Sequence, residues 1–99
     1  MNIQKMMKQA AQMQERMQRE LAALEIEAAA GGGMVSVRMN GHKQLLAVTI
    51  EREVLEPPDP EMLQDLVLAA VNEASRKVDE AMQEKVGALA GGMGLPGMF

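Results

Sequence analysis

Lys5, Lys8, Gln12, Arg16 and Arg19 recur three or four residues apart near the start of the chain. At about 100° per residue on an α-helix they fall within about 80° of one another. Cations and amides along one helix edge suit ionic and hydrogen-bonded contact with a polyanion. Most of them lie in the stretch "KQAAQMQERMQRE", from Lys8 to Glu20, whose other side is apolar. Ile3, Met6, Met7, Ala10, Met13, Met17, Leu21 and Leu24 occupy a sector about 120° wide, nearly opposite the cations. A basic face keeps an exposed helix soluble as readily as it binds phosphate, so spacing alone leaves both readings open. Arg38 and Lys43 are candidates to extend the patch, and Gln9, Gln12 and Gln18 could add hydrogen bonds to phosphates or base edges.

Other chemistries find little support. The chain has no Cys, which removes disulfides, thiolate nucleophiles and thiolate metal sites. His42 is the single histidine and follows an Asn-Gly pair, the setting of a solvated turn residue rather than a metal ligand. Ser36 and Ser75 have no local base signature. "GGGMVS" lacks the Lys-Ser/Thr of a phosphate loop, and "GGMGLPG" opens no helix, so both read as turn or tail glycines. The expectation is a protein that is not an enzyme, with no metal and no cofactor.

Composition sets the scale. Ninety-nine residues make one small domain with a thin core. Phe99 is the only aromatic residue and 11 residues are Met, so Met, Leu, Val and Ala must fill that core, and a second copy would help complete it. Net charge is −4 overall, yet residues 1–20 sum to +2, which leaves −6 for the rest. Such a balance argues against a general positive coat and leaves room for one local basic feature. With no apolar leader and no membrane-length apolar run, a cytoplasmic protein with no membrane partner is expected. Flexible Met-rich surfaces also bind varied peptides. A Met-rich dimeric adaptor for protein partners at replication or repair machinery is therefore the alternative reading.

The elements that position these residues can be read from periodicity. Ile3 to about Leu24 contains no Gly or Pro and has one apolar stripe, which predicts a long helix. Its 3–4 spacing also suits a helix–helix seam. Period two then takes over in "LEIEA", "VSVRM" and "LLAVTI", predicting two or three antiparallel strands. "GGG" at 31–33 and Asn40-Gly41 punctuate them. A two-residue Asn-Gly loop would set Val37 against Gln44 and Val35 against Leu46, with the apolar residues sharing one face and Arg38 opposite Lys43. "EPPDPE" ends the sheet. Asp59 as cap, Pro60 and Glu61 then open a last helix. Its stripe is Leu63, Leu66, Val67, Ala70, Val71, Ala74, Val78, Ala81 and Met82, and it should end before Gly91. The expected architecture is α+β: an antiparallel meander with two helices on one face, in a single domain over 1–90 with a flexible Gly/Met-rich tail at 91–99.

Four pieces together resemble the YbaB/EbfC family of nucleoid-associated, DNA-binding proteins. They are "MMKQAAQMQERMQ", "AGGGMVSVRMNG", "LQDLVLAAVNEASRK" and "GGMGLPGMF". They stand in the family's order and span nearly the whole chain. Gly31, Gly32, Gly33, Gly41, Gly91, Gly92, Gly94 and Gly97 match family glycines. At "TIEREVL" the chain departs, with Glu51-Arg52 where members commonly carry Asp-Pro. The resemblance implies an α-β-β-β-α protomer and a tweezer-like homodimer whose long N-terminal helices form the prongs. It implies a bacterial cytoplasmic protein of the nucleoid that binds double-stranded DNA and acts in nucleoid organisation and gene regulation. Family genes often neighbour those of a DNA polymerase III subunit and a recombination protein, which points to replication or recombination proteins as further partners. On this reading Lys5, Lys8, Gln12, Arg16 and Arg19, extended by Arg38 and Lys43, address DNA. Met6, Ala10, Met13, Met17 and Leu21, with Val35, Val37, Leu46, Val48 and Ile50, form the core and dimer seam.

Overall fold

The computed structural model describes residues 2–92. Helix α1 spans Ile3–Ala23 and is opened by Asn2, whose Oδ1 accepts from the amides of Gln4 (3.1 Å) and Lys5 (3.3 Å). Such a cap satisfies two of the donors that a helix start leaves unpaired, and is worth about 1 kcal/mol. Leu24 breaks to extended backbone, and strand β1 (Glu25–Ala30) begins at once. Strands β2 (Val35–Asn40) and β3 (Leu45–Ile50) complete an antiparallel meander in the order β1-β2-β3. A short helix α2 (Arg52–Leu55) leads to the long helix α3 (Pro60–Gly92). Asp59 caps α3, its Oδ1 accepting from the Met62 amide at 3.1 Å.

The first hairpin turns through Gly31, Gly32 and Gly33, all at positive φ (64°, 68° and 95°), a run that side-chain-bearing residues rarely adopt. The second hairpin differs from the expected two-residue loop. The Asn40 amide donates to the Gln44 carbonyl at 3.1 Å, leaving Gly41, His42 and Lys43 as the loop, with Lys43 in the left-handed region at φ 63°. A three-residue loop ending in a left-handed residue is the next common hairpin solution. An irregularity between Arg38 and Met39 then shifts the pairing further, so that Val37 faces Val48, Val35 faces Ile50 and Arg38 faces Ala47, not Lys43. Beyond the irregularity the net slip is four positions, an even number, so Val48 and Ile50 keep their expected face, whereas Leu45, paired with Met39 on the loop side, does not.

Helix α3 lies across β1 and β2. Ala70, Ala74 and Val78 are buried against Ala28, Val35, Val37 and Met39, with Leu63, Leu66, Val67, Val71 and Met82 packed around them. Two alanines at 0% exposure let helix and sheet approach closely. The helix runs to Gly92, two residues beyond the expected end, and residues 93–99 of the anticipated tail lie outside the described residues.

The expectation of two helices on one sheet face is not met. Helix α1 packs appreciably only on β2, and its nearest neighbours there are the residues of the second hairpin. One connecting residue, Leu24, separates it from β1, too few to reverse the chain and lay the helix back on the sheet. Met6, Ala10, Met13 and Met17 are therefore exposed, Leu21 is half-buried, and only Val35 and Val37 of the expected core-and-seam set enter the protomer's core. Leu46, Val48 and Ile50 are exposed too, because α3 packs mainly on β1 and β2. The chain extends 68 × 28 × 15 Å with a radius of gyration of 19.0 Å, against about 13 Å for a compact domain of this length.

Candidate nucleic-acid interface

Helix α1 presents Lys5, Lys8, Gln12, Arg16 and Arg19 to solvent along a line of roughly 21 Å, from 14 steps of about 1.5 Å. Among the described residues none of these four cations has a carboxylate within ion-pair distance, although Glu15 and Glu20 belong to the same helix. Elsewhere the opposite holds. Arg38 pairs with Glu25 at 3.6 Å, Lys43 with Asp79 at 2.9 Å and Lys85 with Glu20 at 3.9 Å. Arg76 sits between Glu73 and Glu80, and its hydrogen bond holds the Glu73 carboxyl below the usual carboxylate range. Lys77 Nζ donates to the Glu27 carbonyl at 3.2 Å, which occupies a backbone acceptor on edge strand β1. Among the described residues the cations without a partner are thus gathered on α1, with Arg52 of α2 the exception.

Arg38 and Lys43 do not continue the α1 stripe as a sheet-face pair. Arg38 projects from the sheet face across from Glu27, and the longer hairpin loop turns Lys43 toward α3. Arg52 stands out in the sequence only as a departure from the family's Asp-Pro and not as a cation of the site, because α2 interrupts a segment that reads as a linker. Also missed was the packing role of the Asn-Gly-His turn, which closes on the end of α1. The only signal for it was the Asn-Gly pair, read as punctuation.

Among the described residues no group of His, Asp and Glu is placed to hold a metal ion. A cleft of about 130 Å³ between α2 and α3 is lined by Val54, Leu55, Pro58, Asp59, Pro60 and Leu63. Its one ionisable group, Asp59, is committed to capping α3. No described helix is long and apolar enough to cross a membrane.

Among the described residues, a small α+β body thus carries a projecting helix with unpaired cations, a charge pattern suited to a polyanion. A model of the YbaB/EbfC DNA-binding family matches residues 1–93. A nucleoid-associated protein of Koribacter versatilis is 56% identical over 96 residues, covering 97% of this chain and 95% of its own. One of Chloroflexus aurantiacus is 48% identical over 102 residues, covering both chains in full. The crystal structure of an uncharacterized Helicobacter pylori protein superposes with a TM-score of 0.70 at 24% identity, covering 90% of this chain and 97% of that one. The chain belongs to the YbaB/EbfC DNA-binding family, which is not a family of enzymes.

Proposed function

We propose that the protein binds duplex DNA as a homodimer, chiefly through phosphate contacts from the basic face of α1, and acts in nucleoid organisation and gene regulation. The observation that carries this reading is the set of four unpaired cations on a projecting helix of a chain with net charge −4. Paired cations must give up a carboxylate before taking a phosphate. Lys5, Lys8, Arg16 and Arg19 need not, while Arg38 and Lys43 contribute less. The negative remainder repels DNA and selects the face that meets it. Phosphate contact supplies affinity without base choice.

Homodimerisation is supported by what the protomer leaves uncovered. The apolar stripe of α1 and the β3 residues Leu46, Val48 and Ile50 are exposed, and clustered exposed apolar residues mark an interaction site. A second copy would cover it and enlarge the thin core. The nucleoid is the corresponding location, and replication or recombination proteins are further partners in this proposal. The exposed methionines Met13 and Met17 favour a second reading, a protein-binding adaptor.

Titrating salt against binding to a labelled mixed-sequence duplex separates the two. The DNA reading expects binding at low salt that falls with a log–log slope of roughly −2 to −5, at about −0.9 per phosphate neutralised. No binding at low salt would favour the adaptor.

A further inference from the structure

We propose that the β2–β3 turn, Asn40-Gly41-His42, is a clasp that fixes the angle of α1 to the body and so positions its basic face. The Gly41 amide donates to the Leu21 carbonyl at 2.8 Å, and His42 Nε2 donates to the Gln18 carbonyl at 3.3 Å. Leu21 is one of the last four residues of α1, whose carbonyls run out of intrahelical partners, and Gln18 lies within the turn before it. Gly41 is required here for space, not for φ: a Cβ would lie 2.6 Å from the Leu21 oxygen and 2.9 Å from its Cα. These are backbone atoms, so relief means moving the helix. Asn40, only 4% exposed, holds the turn from within. Its Oδ1 accepts from the amides of His42 (2.9 Å) and Gln44 (3.0 Å), and its Nδ2 donates to Gln44 Oε1 (2.9 Å). Among the described residues nothing comparable grips α1 elsewhere. Its other side-chain tie to the body, Lys85 to Glu20 at 3.9 Å, joins two exposed groups and is weak on general grounds.

The geometry makes α1 a lever. Lys5 stands 16 residues from Leu21, an arm of roughly 24 Å. A tilt of about 10° at the base would carry Lys5 roughly 4 Å, more than the axial spacing of phosphates along one strand, about 3.4 Å. Asn40, Gly41 and His42 are positioning residues: in this arrangement they need not touch DNA. Their functional consequence rests on α1 being the DNA contact, whereas their effect on the helix angle does not.

The absence of Cys makes the test clean, because introduced cysteines are the only thiols. Spin labels at Gln9→Cys and Asp65→Cys report the separation of α1 from α3, with labelled chains diluted into unlabelled protein. A pair at Thr49→Cys and Asp65→Cys reports the body alone. The expected wild-type result is one narrow distance for each pair. Gly41→Ala and His42→Ala should broaden or displace the first distance and leave the second unchanged. DNA binding should weaken about tenfold if only about a tenth of molecules keep the required orientation. Should Gly41→Ala also lose the control distance, His42→Ala, which keeps the backbone, decides alone. An unchanged α1 distance in the folded variants overturns the clasp. Reversal of the four α1 charges without loss of DNA binding would overturn the DNA reading while leaving the distance result standing.

Discussion

At the scale of single residues, what distinguishes the ten Lys and Arg side chains is the company they keep. Lys43 is held by Asp79 and Arg38 by Glu25, whereas Arg16 has no carboxylate within reach. Exposed pairs of this kind add little to stability, but they neutralise the cation that a phosphate would otherwise meet. Arg16→Glu should therefore weaken binding to every duplex alike and reduce the magnitude of the salt slope by about 1. Lys43→Glu should leave that slope close to wild type. Equal losses from the two reversals in salt titrations would mean that the ion pairs do not determine which cations DNA uses. The sequence displays all of these charges, but it cannot display their partners, because Asp79 lies 36 positions from Lys43.

At the scale of elements, the close seat of α3 on the sheet depends on Ala70 and Ala74, both fully buried. Ala74→Leu would force three extra carbons into that contact and should destabilise the fold by about 1–3 kcal/mol, read from denaturant midpoints at constant m-value. An unaltered midpoint would place the core elsewhere. This contact was legible in advance because a helix repeat of small and branched residues survives any tertiary arrangement. The three strands were legible for the same reason: period two announces itself within a few residues, and the even slip of β2–β3 pairing beyond its irregularity preserved the faces of Val48 and Ile50. What stayed hidden was set by single residues and by geometry between elements. One left-handed residue, Lys43, lengthened the hairpin loop. A four-residue helix, Arg52–Leu55, is too short to show a period. The projection of α1 follows from a one-residue connector and a hydrogen-bonded turn, and an amphipathic stripe does not reveal whether its apolar side meets its own chain or another.

At the scale of the whole molecule, that stripe and the uncovered half of the sheet are the features the single chain does not resolve internally. A homodimer would bury them and place two basic helices on one particle, eight cations facing DNA where one chain offers four. Sedimentation of the wild type should give a dimer at micromolar concentration, and Val48→Glu should shift it toward monomer. A wild-type monomer would remove the seam from the account. On the proposed function the free cations of α1 are the DNA contact. Fluorescence anisotropy of a labelled duplex, comparing the wild type with a folded variant carrying Lys5→Glu, Lys8→Glu, Arg16→Glu and Arg19→Glu, tests it most directly. Salt-sensitive binding by the wild type and none by the variant is expected at the same low salt. Undiminished affinity in that variant, with its circular dichroism unchanged, would contradict it.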